Sequence, residues 1–97
     1  MIESAAYFAV SEALTNIAKH SGASAAQVTA RTQGDQLMIE IYDNGRGGAD
    51  PRRGTGLTGI ADRVAVTGGR MLLSSPPGGP TLLRVELPWT HNQTPSA

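Results

Sequence analysis

Cysteine is missing altogether from this 97-residue sequence, and lysine nearly so: seven of the eight basic residues are arginine, and Lys19 stands alone. Without thiols there is no disulfide and no thiolate zinc site, which fits a reducing cytosol and a cytoplasmic location. Formal net charge is zero, with eight basic residues against eight acidic, so no bulk field draws the chain to nucleic acid or to a membrane surface. Aromatic residues make up only 4% and form no basic–aromatic strip, which leaves no nucleic-acid partner to expect. No apolar run approaches the roughly 20 residues of a membrane span and no signal peptide is visible, so this fragment is not membrane-inserted. What is present is an ordinary soluble composition, 39% hydrophobic and 16% charged. A chain this short makes one small domain that buries only roughly 60–65% of its unfolded surface.

Periodicity supplies the elements. Ile2, Ala6, Ala9, Val10, Ala13, Leu14 and Ile17 recur at three- and four-residue steps and predict a helix over residues 2–20, stopped by Ser21-Gly22. Because that helix starts with the sequence itself, the chain is expected to be part of a longer protein. Residues 27–33 and 36–42 alternate around Gly34-Asp35, a hairpin with Val28, Ala30, Thr32, Leu37, Ile39 and Ile41 on a covered face and Gln27, Arg31, Met38 and Glu40 on the other. A glycine-rich stretch follows, then a helix over about 57–66 with Leu57, Ile60, Ala61 and Val64 inward, ended by Gly68-Gly69. Residues 70–75 and 81–87 read as two more strands around a Pro-Pro-Gly-Gly-Pro turn, and the polar tail from residue 89 reads as frayed. Two hairpins cannot bury themselves, so the economical architecture is α+β: one four-stranded antiparallel sheet covered on one face by the two helices.

Six of the twelve glycines fall between residues 45 and 60, and Gly54 to Gly59 spells G-x-G-x-x-G. A dinucleotide fingerprint must leave a buried strand and open a helix inside a βαβ unit. Here Ala49 to Arg53 is polar and contains Pro51, no acidic residue ends a strand about 20 residues on, and the flanking strands are hairpin-paired. No G-K-[ST] is present, so a P-loop is excluded as well. What survives is a helix start whose first amides, near Gly56-Leu57, have no intrahelical acceptors and suit an anion. Alone, it reads equally as a surface loop.

Two further groups bear on that choice. Glu12, Asn16 and Lys19 share one helix face away from the apolar stripe, a carboxylate, an amide oxygen and an ammonium suited to hydrated Mg²⁺ and a polyphosphate, or simply a solvated face. Asp43 ends a strand and opens Asp43-Asn44-Gly45, an ordinary turn or a carboxylate placed to accept a hydrogen bond from an exocyclic amine.

Taken in order, these pieces resemble the ATP-binding domain of bacterial sensor histidine kinases. "EALTNIAKH" (12–20) is similar to the kinase N box, "DNGRGG" (43–48) to the first glycine box, "GTGLTGI" (54–60) to the second, and "GGPTLLRVELP" (78–88) to the final hairpin. The resemblance spans about residues 3–88 and implies a Bergerat fold, the two-layer sandwich shared with DNA gyrase, the Hsp90 chaperones and MutL. It implies that Asn16 ligates Mg²⁺ through its side-chain oxygen and that Lys19 and His20 lie near the phosphates of ATP. Asp43 accepts from the adenine amine, with Thr81 and an ordered water in the same network. Gly45, Gly47, Gly48, Gly54 and Gly56 shape the pocket and hinge its lid, and the amide near Leu57 meets a phosphate. Glu12 matches the general base of the ATPase branches; in kinases it polarises the attacking histidine instead.

The departures narrow the subclass. Only Ala49 to Arg53 separates the glycine boxes, no phenylalanine-containing box is present, and the family's strand before the first helix is absent. A short lid followed by G-x-G-L-x-G-I-x-x-R resembles the class whose phosphoacceptor histidine lies on a preceding dimerising helical pair. Neither His20, which closes the N box, nor His91 in the tail fits that acceptor. The resemblance therefore implies a monomeric fragment that binds ATP and cannot phosphorylate itself. It further implies a homodimeric full-length protein, membrane-anchored or not, that passes phosphate through its histidine domain to a response regulator. A serine kinase of the anti-sigma-factor type and a non-enzymatic nucleotide-binding or interaction module are the alternatives.

Overall fold

The computed structural model describes residues 2–50, 52 and 56–89. Helix α1 (Ile2–Asn16) runs directly into a π-helical turn, Ile17–Ser21, and stops at Gly22. A hairpin of β1 (Ala26–Gln33) and β2 (Gln36–Asp43) follows, then the glycine-rich loop, helix α2 (Leu57–Val66), and the strands β3 (Arg70–Ser74) and β4 (Thr81–Pro88). The sheet order is β1-β2-β4-β3, every neighbouring pair antiparallel, with both helices on one face. The α+β two-layer sandwich expected from the pattern is the one that forms.

Strand alternation sorts the sheet. Leu37, Ile39 and Ile41 of β2 stand opposite Leu87, Val85 and Leu83 of β4, and Met71 and Leu73 extend the row into β3. Helix α1 lays Ala5, Ala9 and Ala13 on this surface and α2 lays Leu57, Ile60 and Val64. Alanine at four-residue steps lets the helix backbone sit close to the sheet. The rest of the expected stripe, Ile2, Ala6, Val10 and Ile17, packs half-buried along one flank, and Leu14 is exposed. On the other flank the Phe8 ring fills the seam between the helices, with the Arg63 guanidinium 4.1 Å above it.

Three expectations are corrected. The first helix is not α-helical to its end, because its last five residues form the wider π turn. Strand β1 is exposed along its whole length, so Val28, Ala30 and Thr32 have no cover. Two helices at the usual 8–10 Å spacing span about four strands only if centred on the sheet, and these two stand over β2, β4 and β3. Met38, assigned to the open face, does point there but is only 8% exposed. Its cross-strand neighbours Arg31 and Glu86 carry long stems that shield it.

The ends of the elements are tied by local bonds. Thr67 Oγ1 and the Gly69 amide both donate to the Val64 carbonyl, at 2.6 and 3.1 Å, which turns the chain from α2 into β3. The Trp89 amide donates to the Asp35 carbonyl at 2.6 Å, fastening the end of β4 to the β1–β2 turn. The remainder of the tail, with His91, lies outside the described residues.

Ile60 is fully buried, whereas Val66, on the same helix, is 74% exposed. Ile60→Ala is expected to lower unfolding free energy by about 2–5 kcal/mol in urea titration, and Val66→Ala by less than about 0.5 kcal/mol. Equal effects would show that α2 does not pack as described.

Candidate functional site

A cavity of about 610 Å³ opens where β2 ends and β4 begins, walled by the end of α1 with its π turn, the loop after β2, the start of α2 and the β3–β4 turn. Its apolar wall comes from Ala13, Ile41, Leu57, Leu73 and Leu83, all continuous with the core. Its polar groups include Asn16, His20, Asp43, Arg46, Asp50 and Thr81.

Asp43 is the deepest charged group, 2% exposed, and stands directly across the β2–β4 ladder from Thr81. Its Oδ1 accepts the Gly45 amide at 2.8 Å, while Oδ2 has no hydrogen-bond partner among the described residues. A buried carboxylate with an open acceptor suits a ligand that donates. The next residue fixes the loop: Asn44 Oδ1 accepts the amides of Ser24 and Ala25 at 3.0 Å, and Nδ2 donates to Ser24 Oγ at 2.9 Å.

The glycines beyond Asn44 are demanded by space. A Cβ on Gly45 would strike the Ser21 carbonyl and crowd Asp43 Oδ1, and one on Gly47, whose φ is +67°, would strike the Pro76 carbonyl. The loop therefore threads between the end of α1 and the β3–β4 turn. Backbone bonds hold it there: Arg46 N–H to Ser21 O at 2.9 Å, Gly78 N–H to Arg46 O at 2.7 Å, and Gly48 N–H to Ser75 O at 2.9 Å.

Glu12 and Asn16 meet the start of α2. A Cβ on Gly56 would lie 2.7 Å from Glu12 Oε2 and 3.6 Å from Asn16 Nδ2, so the backbone of the second glycine box rests on the N-box side chains. Asn16 Nδ2 is buried with no partner among the described residues, the one such side-chain atom there. An orphaned amide at the wall of a cavity is a group kept for something else.

The residues singled out from sequence distribute as follows. Asn16, His20, Asp43, Gly47, Gly48, Leu57 and Thr81 line the cavity. Gly45 is buried behind Asp43, and Glu12 and Gly56 meet beside Asn16. Lys19 is exposed and is not among the residues that line the cavity. Gly54 lies outside the described residues.

Pattern reading missed Arg46 and Ser75. Arg46 donates through Nε and Nη2 to the His20 carbonyl, at 2.9 and 2.5 Å, and so caps the π turn. Nothing in an isolated D-N-G-R-G string announces that contact. Ser75 was legible, since the inward alternation Met71, Leu73 continues onto it, and its Oγ lies 2.6 Å from Thr81 Oγ1. In the short loop Asp50 holds Arg52 at 3.1 Å. That hydrogen bond, then the attraction of the two charges, pushes the Arg52 guanidinium above its already high pKa, so it stays charged at any physiological pH.

Comparison with known proteins agrees with this geometry. The signal transduction histidine-protein kinase/phosphatase UhpB of Salmonella typhimurium is 39% identical over 79 residues, which cover 79% of this chain and 15% of that protein. The histidine-protein kinase/phosphatase DegS of Brevibacillus brevis is 32% identical over 95% of this chain and 25% of its own length. The chain thus spans a quarter or less of these relatives. Among solved structures, the ATP binding domain of PrrB from Mycobacterium tuberculosis superposes with a TM-score of 0.76 at 30% identity, covering 90% of this chain and 68% of that one. The sequence matches the family described as "Histidine kinase-, DNA gyrase B-, and HSP90-like ATPase" over residues 1–91, and the chain belongs to that family as an ATP-binding domain of the histidine kinase type.

Proposed function

We propose that this domain presents ATP, with Mg²⁺, to a histidine on a separate dimerisation domain of the same full-length protein, which relays the phosphoryl group to a response regulator. The observation that carries the reading is the buried Asp43 carboxylate with an open acceptor, set across the ladder from Thr81 in a cavity whose other walls are the two glycine boxes and the N box. Asp43 accepts from the exocyclic amine of adenine, and the apolar wall of Ile41, Leu57, Leu73 and Leu83 takes the ring. Gly45, Gly47, Gly48 and Gly56 keep side chains out of its path.

The donor set fits a hard cation with few protein ligands. Among the described residues no group of three or more His, Asp or Glu could hold a metal, so most of its shell would come from phosphate and water. Asn16 would hold it through the side-chain oxygen, its unpartnered Nδ2 donating to a phosphate oxygen, and the cation would neutralise phosphate charge as the γ-phosphoryl leaves. Lys19 adds positive charge and His20 hydrogen-bond capacity at the same end. Glu12, held beside Asn16 against Gly56, orients and polarises the incoming histidine. Phosphoryl transfer asks mainly for such positioning. No helix among the described residues is long and apolar enough to cross a membrane. The fragment works as a monomeric cytoplasmic module and the full-length protein as a homodimer.

Calorimetric titration with ATP·Mg²⁺ is expected to show binding to the wild type and at least a tenfold weaker Kd for Asp43→Asn, since the amide presents a donor where the ring amine also donates. Absent wild-type binding, or indifference to that change, sinks the adenine assignment. With labelled ATP and a supplied histidine-bearing helical domain, the wild type is expected to transfer label to histidine. Glu12→Gln should slow transfer by 10²-fold or more while leaving Kd within a few-fold. Binding without transfer would leave a nucleotide-binding module and overturn the kinase reading.

A further inference from the structure

The edge of the cavity that meets the ring has a second tier. Ser75 follows β3 at an inward-facing position and is half-buried. Its Oγ accepts the Ala49 amide at 2.9 Å and lies 2.6 Å from Thr81 Oγ1, while its own carbonyl accepts the Gly48 amide at 2.9 Å. Thr81 lines the cavity, and no hydrogen bond joins it to Asp43 among the described residues.

Proton economy fixes the sense of the bond between the two hydroxyls. Each has one proton. If Thr81 donated to Ser75, the Ser75 proton would have no acceptor among the described residues, in a half-buried place where an unmade hydrogen bond is costly. If Ser75 donates to Thr81, its proton is satisfied while its oxygen still accepts from Ala49, and the Thr81 proton is left to point into the cavity. The run is then Ala49 N–H to Ser75 Oγ, Ser75 O–H to Thr81 Oγ1, and Thr81 O–H to whatever occupies the cavity.

We infer that Ser75 is a positioning residue for base selection: it holds the Thr81 hydroxyl as a donor beside the Asp43 acceptor, so that this edge reads an exocyclic amine next to an unprotonated ring nitrogen. Adenine presents that order of donor and acceptor, and guanine presents the reverse, a carbonyl next to a ring N–H. The contact is made by Thr81 directly or through one water; in either case the acceptor on the ring is what Ser75 selects. The inference rests on the ATP reading above and adds to it the residue that sets hydroxyl polarity.

The test uses ATP and 1-deaza-ATP, in which the ring nitrogen beside the amine is replaced by C–H and only the acceptor is lost. By calorimetry the wild type is expected to prefer ATP by about 3- to 10-fold, the worth of one neutral hydrogen bond. Ser75→Ala, which frees the Thr81 hydroxyl to rotate away from the ring, should lower that ratio, and Ser75→Thr, which keeps the donor and the acceptor, should restore the wild-type ratio. A ratio between two ligands is unmoved by a general loss of stability, which separates positioning from packing. Should Ser75→Ala not fold, Ser75→Cys keeps the volume with a weak donor and is expected to lose most of the preference. A wild type that binds both analogues equally, or a Ser75→Ala or Ser75→Cys variant that keeps the full preference, overturns the role of Ser75 and leaves ATP binding standing. A wild type that binds neither nucleotide overturns both.

Discussion

The register of β2 against β4 is the constraint on which the site depends. Ile39 faces Val85, Ile41 faces Leu83, and two residues further along the same face Asp43 faces Thr81. The hydrophobic row and the polar pair are one continuous alternation, so the apolar contacts that bury the sheet against the helices also set a carboxylate and a hydroxyl side by side at its end. A slip of β2 by one residue would carry Asp43 to the open face along with Leu37, Ile39 and Ile41, and leave Thr81 without its partner. The pocket therefore needs no separate scaffold: it is the point at which the core runs out of apolar residues while the ladder continues.

Everything around that point serves to bring loops close to it. The glycine loop after Asp43 is pinned on one side to the end of α1, through Ser21 and the Arg46 guanidinium on the His20 carbonyl, and on the other to the β3–β4 turn, through Ser75 and Gly78. Gly45 and Gly47 are small because neighbouring carbonyls occupy the space a side chain would take. The π turn belongs to the same arrangement. An extra residue in the last turn changes where His20 and Ser21 present their carbonyls, and those are the groups that the loop grips.

Most of this architecture was legible because its signals are local. Period-two alternation, the Gly34-Asp35 turn and the Gly68-Gly69 stop name the elements, and the ordered motifs at 12–20, 43–48, 54–60 and 78–88 name the family. Asp43 and Thr81 were legible as motif members, and the ladder adds that they are cross-strand partners. What stayed hidden depends on chain segments meeting from far apart. Arg46 finds a carbonyl 26 residues earlier in the chain, and no periodicity carries that information. The exposure of β1 depends on which strands the helices choose to cover. The widening of the helix into a π turn at Ile17–Ser21 is not announced by its residue types either.

The open face of the sheet completes the argument about register. Glu40 and Arg84 are direct cross-strand partners joined at 2.6 Å, and Glu86, only 5% exposed, is held by Arg70 from β3 at 2.6 Å with Arg84 at 3.8 Å. The three strands β2, β4 and β3 are thus laced by a ladder of alternating charge on the side away from the pocket. Exposed pairs of this kind add little stability singly, but a mispaired ladder would set like charges together and leave Glu86 without its cations. A small core of alanines and a few branched residues tolerates many packings. The charged ladder does not, because each carboxylate has its guanidinium at one register only. The hydrophobic row thus supplies the stabilisation of the sheet and the ion ladder its alignment, and Asp43 beside Thr81 requires both.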